Sequence, residues 1–161
     1  MVNAAIERAE LALALNDEAA TLDLGRVLGE ILGPGDVVLL TGDLGVGKTV
    51  LARGLARGLG VPDEYTIASP SFTLLNVYPG RAGFYHADLY RLDQGEALDL
   101  ELLEEAAEGV LAVEWAERLA AEWPGESLLI ELALAEGEAR QARLKGPIEI
   151  IRRVKRVLGS G

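Results

Sequence analysis

The sequence predicts a mixed α/β domain: a mainly parallel sheet sandwiched by helices, with an antiparallel hairpin near the C-terminus. Three observations point there. The short apolar runs at 37–40 and 110–113 are too brief for helices and read as strands buried on both faces, the habit of parallel strands. Segments of helical periodicity lie between such runs, which is the alternation of layered α/β folds. Late in the chain, two β-prone runs meet at the turn Glu136-Gly137-Glu138. A length of 161 residues suits one domain spanning the whole chain.

The elements follow in order. Residues 7–15 fit either a strand or a helix, and the strand is preferred. Asn16 or Asp17 caps a helix whose apolar face is Leu22, Val27, Leu28 and Ile31. Gly33-Pro34-Gly35-Asp36 is a turn before the 37–40 strand. A helix spans 48–59 and is closed by Gly60 and Pro62. Residues 66–72 form a loop centred on Pro70. Two β runs, 73–78 and 84–89, are joined through Pro79-Gly80-Arg81-Ala82-Gly83. An acidic helix covers 96–108, strand 110–113 follows, and a short helix runs to Trp123. The hairpin strands are 128–135 and 140–145, and a basic helix, 148–158, closes the chain.

The formal net charge is −11, which argues against a free-standing nucleic-acid binder, since such a surface must neutralise phosphates. The charge is uneven. From Arg140 onward seven basic residues face Glu149 alone, a net of +6, whereas 93–138 holds fourteen acids and only Arg118. The absence of cysteine excludes disulfides, thiolate metal sites and thiol nucleophiles. Glu7 and Glu10 stand where a signal peptide would carry positive charge, and no apolar stretch nears the ~20 residues of a membrane span. A soluble cytoplasmic protein is expected.

Gly42-Asp43-Leu44-Gly45-Val46-Gly47-Lys48-Thr49 matches G-x-x-x-x-G-K-[ST]. Its glycines let backbone N–H groups curl inward around phosphate oxygens, and the helix that follows presents its positive end to the same oxygens. Lys48 is placed to bridge the β- and γ-phosphates, and the Thr49 hydroxyl to ligate Mg²⁺. Lysine is scarce here, with only Lys48, Lys145 and Lys155, so its place in the motif is telling. Val110-Leu111-Ala112-Val113-Glu114 is a Walker-B pattern with Glu where Asp is usual. Asp88, ending another β run, reads either as a group beside the metal and the attacking water or as a turn cap. Ser69-Pro70-Ser71-Phe72-Thr73 occupies the place of a switch loop, or is an ordinary polar loop. His86, the single histidine, reads as a half-buried, hydrogen-bonded residue or a functional one. Trp115 reads as core or as a neighbour of the nucleotide.

With these residues in view, the sequence resembles the TsaE (YjeE) P-loop ATPases of bacterial tRNA threonylcarbamoyladenosine synthesis, over about 17–146. The resemblance rests on Asp17-Glu18 with Thr21 and Leu24-Gly25, the P-loop, Ser69-Pro70-Ser71-Phe72-Thr73-Leu74, His86-Ala87-Asp88-Leu89-Tyr90-Arg91-Leu92, and Glu114-Trp115-Ala116-Glu117-Arg118. The His-x-Asp-Leu-Tyr-Arg and Glu-Trp blocks are its specific part. It implies a P-loop NTPase-type fold that binds ATP and releases ADP. Asp43, Leu44, Gly45, Val46, Gly47, Lys48, Thr49 and Val50 would bind the phosphates. Thr49 and Glu114 would hold Mg²⁺, with Asp88 close to the metal and the hydrolytic water. Glu18 and Thr21 would lie near the adenine, and the hairpin near Gly137 would close on the nucleotide, with Arg140 a further candidate there.

The chain departs from the family pattern in places. Val46 stands where Ala is common, Ser71 where Thr is usual and Ala116 where Pro is common, and the basic C-terminal helix matches no family block. The resemblance also implies partners of the TsaB and TsaD types, with slow hydrolysis supporting turnover of their complex. Contact with tRNA is expected through that complex rather than through strong binding by this chain alone. Alternative readings are a small-molecule P-loop kinase and a non-hydrolysing nucleotide-gated interaction module. A kinase lid needs basic residues, and between Gly58 and Ala139 there are only Arg81, Arg91 and Arg118. A GTPase is disfavoured because no lysine has Asp two residues on.

Overall fold

Seven strands join in one sheet in the computed structural model, which describes residues 6–70, 75–90, 104–118, 123 and 125–159. The elements are β1 (Arg8–Leu15), α1 (Glu18–Ile31), β2 (Val37–Thr41), α2 (Lys48–Gly58), β3 (Leu75–Tyr78), β4 (Phe84–Asp88), β5 (Val110–Glu114), a 3₁₀ turn (Ala116–Arg118), β6 (Leu128–Leu134), β7 (Arg140–Pro147) and α3 (Ile148–Leu158). The expected strands and the closing helix are all present. Of the acidic helix expected at 96–108, residues 104–106 are helical, and 96–103 lie outside the described residues. So do Ser71, Phe72 and Thr73 of the expected switch loop, Leu74 of the β run expected at 73–78, Arg91 and Leu92, and 119–122 of the helix expected to reach Trp123.

The strand order is β1-β7-β6-β2-β5-β4-β3. The four central strands, β6, β2, β5 and β4, are mutually parallel. The remaining pairings, β1 with β7, β6 with β7 and β3 with β4, are antiparallel. Because β1 is reversed twice relative to β6, all strands but β7 and β3 run the same way. β2 and β5 are apolar up to their last residues, Thr41 and Glu114, because both of their faces are covered. Alternation of side chains then divides each strand between two cores. Val38, Leu40, Val110 and Ala112 join the core shared with α1, α2 and α3, whereas Leu39, Leu111 and Val113 join the core on the opposite face, with Ala106 and Ala116.

Asp17, not Asn16, caps α1, its side chain accepting the Ala20 N–H at 2.8 Å. The buried face of α1 is rotated from the expected one. Leu24, Val27 and Leu28 are buried together with Thr21, Gly25 and Gly29, while Leu22 and Ile31 are only half-buried. The glycines explain the rotation: they let α2 approach so closely that the backbones touch. A Cβ on Gly25 would lie 2.3 Å from the Leu51 carbonyl oxygen, and one on Gly54 would lie 2.2 Å from that of Leu22. Gly29 and Gly58 repeat the contact one turn further on. This packing fixes the axis of α2, and with it the direction in which its N-terminus points. Among the described residues no helix is long and apolar enough to cross a membrane.

Alanine favours helices over glycine by about 1 kcal/mol, yet Gly54→Ala is expected to destabilise the fold by about 1–3 kcal/mol, because the clash is with backbone. Urea denaturation of the variant beside the parent measures this.

Candidate active site

Parallel strands bring their C-terminal ends to one edge of a sheet, where α/β folds hold ligands. Here β2, β5 and β4 are consecutive neighbours. Register pairs Leu40 with Glu114 and Asp88 with Glu114, so the exit of β2 and both carboxylates arrive at the same level. The loop leaving β2 turns through Gly42 (φ +140°), Gly45 (φ +78°) and Gly47 (φ +113°), then opens α2 at Lys48. At Gly42 a side chain is excluded twice over, by the backbone conformation and by the Leu132 carbonyl oxygen, 2.6 Å from where a Cβ would sit. The first turn of α2 carries no acidic residue, so its N-terminal end remains positive.

Lys48 is 5% exposed. Its Nζ donates to the carbonyl oxygens of Gly42 and Asp43, the latter at 3.1 Å, and lies 3.7 Å from the centre of the Trp115 ring. Burial holds the ammonium below the ordinary lysine value, outweighing the opposing pull of the Glu117, Glu114, Asp88 and Asp43 carboxylates. Trp115 reaches that position because its backbone is left-handed (φ +58°), a conformation that costs a bulky residue about 1–3 kcal/mol. It is therefore a wall of the site, half-buried beside Tyr90 with ring centres 5.0 Å apart.

Thr49 Oγ1 donates to Glu114 Oε1 at 3.1 Å and lies 3.1 Å from Ser69 Oγ, which in turn donates to Glu114 Oε2 at 3.3 Å. Glu114 is 2% exposed, and its Oε2 also accepts from His86 Nε2 at 2.5 Å. His86 is fully rather than half-buried. Asp88 takes the turn role, its Oδ1 accepting the Tyr90 N–H at 2.8 Å, and it also lines the main cavity.

That cavity, about 390 Å³, is lined by Leu44, Gly45, Gly47, Lys48, Thr49, Val50, Asp88 and Glu114, together with Ser69, Pro70, Tyr90 and Trp115. A second cavity of about 290 Å³ shares Gly45, Gly47 and Val50 with the first and brings Glu18, Thr21 and Val46 together with Glu138 and Arg140. Gly137 forms the β6–β7 turn (φ +60°) without lining either cavity. Asp43 takes part through its carbonyl oxygen. Two contacts went unread in the sequence. Glu117 Oε2 accepts the Gly42 N–H at 3.0 Å, and Arg140 Nε donates to the Val46 carbonyl at 3.0 Å. Both brace the loop across long sequence separations, a kind of contact that has no local pattern.

A family model described as threonylcarbamoyl adenosine biosynthesis protein TsaE matches residues 15–142, which include every residue of the two cavities. The chain belongs to the TsaE family. Relatives named tRNA threonylcarbamoyladenosine biosynthesis protein TsaE include one from Nostoc sp. PCC 7120, 44% identical over 81% of this chain and 82% of its own length. One from Treponema pallidum is 47% identical over 70% of this chain and 84% of its own. The crystal structure of Bacillus subtilis YdiB superposes with a TM-score of 0.78 at 28% identity, covering 94% of this chain and 98% of that one. In this TsaE-family chain, Val46 is buried, and the group it offers to Arg140 is a backbone carbonyl, so that contact does not depend on the side chain at this position.

Burial opposes the Lys48 charge, and its hydrogen bonds and Trp115 contact act against that cost. Lys48→Met, which keeps the aliphatic stem, is expected to change stability by less than about 1 kcal/mol, as calorimetry would register.

Proposed function

We propose that this chain binds ATP with Mg²⁺ and hydrolyses it slowly to ADP, acting in tRNA threonylcarbamoyladenosine biosynthesis beside TsaB- and TsaD-type partners. The observation that carries the reading is the Thr49 hydroxyl bonded to the Glu114 carboxylate at 3.1 Å, at the start of a helix whose Lys48 and preceding glycine loop face the same cavity. A hydroxyl and carboxylates are hard oxygen donors, which suits Mg²⁺. Among the described residues no three His, Cys, Asp or Glu side chains gather as a cluster for a metal ion. The remaining ligands of such a cation would be phosphate oxygens and water.

In this reading the loop N–H groups and Lys48 hold the phosphates, Thr49 and Glu114 hold the cation, and Asp88 orients the attacking water. The cation neutralises charge on the phosphate oxygens. Glu18 and Thr21 in the smaller cavity take the nucleoside side. In this reading intrinsic turnover is slow, and a partner supplies a group that meets charge developing on the γ-phosphate.

The test is reconstitution with TsaB- and TsaD-type proteins and tRNA, following ATP hydrolysis and tRNA modification with and without this chain. The parent is expected to stimulate both. Lys48→Ala and Thr49→Ala should each lower the stimulated rates roughly 10²-fold or more, with unchanged circular dichroism. Modification sustained at the parental level by Lys48→Ala would reject the reading. Phosphoryl transfer to a small molecule would favour a kinase, and stimulation without hydrolysis a nucleotide-gated module.

A further inference from the structure

The only buried side-chain nitrogen or oxygen without a hydrogen-bond partner among the described residues is His86 Nδ1, and its ring belongs to none of the roles given above. His86 is 0% exposed and stacks on Phe84, with ring centres 5.8 Å apart. Its other nitrogen makes the short contact with Glu114. A carboxylate can only accept, so the shared hydrogen belongs to Nε2.

The sheet explains why these two residues meet. Asp88 is the register partner of Glu114, while His86 pairs with Ala112, two residues further back, and shares a face with Asp88. A side chain that only reached forward from Glu114 would miss His86. Glutamate has one methylene more than the aspartate usual at this place, and here that extra length lets the carboxylate bond His86 with Oε2 while Oε1 takes the Thr49 hydroxyl. The longer side chain also has one more rotatable bond, and an unheld carboxylate would sample several directions.

We infer that His86 is a positioning residue: by donating Nε2–H to Glu114 it fixes the carboxylate against Thr49 and so sets the affinity of the site for Mg²⁺ with nucleotide. This rests on the ATP·Mg²⁺ reading. Groups that orient metal-binding side chains typically change metal affinity 10–100-fold when removed, so the effect belongs to the cation and not to the phosphate cradle.

Nucleotide binding by calorimetry, with ADP at a series of Mg²⁺ concentrations and in EDTA, separates the two. For the parent, Mg²⁺ is expected to strengthen ADP binding. His86→Leu should shift the Mg²⁺ half-saturation upward by about tenfold, leaving affinity in EDTA within about twofold. His86→Gln, whose amide nitrogen can replace Nε2, should recover most of the shift, and His86→Asn, which is shorter, should not. If His86→Leu fails to fold, the Gln and Asn variants decide by the same comparison. An unchanged Mg²⁺ titration in His86→Asn, or equal behaviour of Gln and Asn, overturns the inference. So does a parallel loss of affinity in EDTA, which marks a merely structural role. Absence of Mg²⁺-dependent ADP binding by the parent would instead defeat the proposed function itself.

Discussion

The contact between Thr49 and Glu114 depends on parallel pairing. Glu114 ends β5, and Thr49 lies in the first turn of the helix reached from the end of β2. Only because the two strands run side by side in the same direction do these ends coincide. Reversing either strand would place the two groups at opposite edges of the sheet. The same register brings Asp88 to Glu114 from the other side. Three segments distant in sequence are thus drawn to one point by backbone hydrogen bonds. The apolar side chains that stabilise those bonds, such as Val38, Leu40, Val110 and Ala112, take no part in the chemistry.

A second constraint sets the direction of the helix. The glycine contacts between α1 and α2 allow one close approach, and that approach aims the N-terminus of α2 at the cavity. Bracing at both ends of the glycine-rich loop completes the arrangement. Glu117 holds the Gly42 N–H and Arg140 holds the Val46 carbonyl. Backbone N–H groups can favour a phosphate only if they are oriented in advance, and these side chains supply part of that orientation. Lys48 is buried among several carboxylates and makes its hydrogen bonds to the loop itself, so its ammonium is kept in place by the loop that precedes it.

Much of this could be read in order along the chain. The strands β2 and β5 were legible because a run buried on both faces is continuously apolar, and the loop after β2 because three glycines, a lysine and a threonine at fixed spacing have a specific chemistry. The face of α1 was less legible. Its contact with α2 is made by Gly25 and Gly29, which add nothing to a hydrophobic pattern, so Leu22 and Ile31 drew the reading away from Leu24. His86 was visible as a residue but not as a partner of Glu114. Twenty-eight positions separate them, and an alternating strand does not say which neighbour its side chains will meet.

The sequence by itself determined most of the elements, the glycine-rich loop with its lysine and threonine, and the carboxylate that ends an apolar strand. Each of these is carried by residues close together in the chain, where spacing and side-chain type are enough. Tertiary structure decided the rest: the coincidence of Asp88, Glu114 and Thr49 at one edge, the turn of Trp115 over Lys48, the division of the site into two cavities and the bond from His86. These depend on strand register and helix approach, which arise from the packing of the whole sheet and have no local signature.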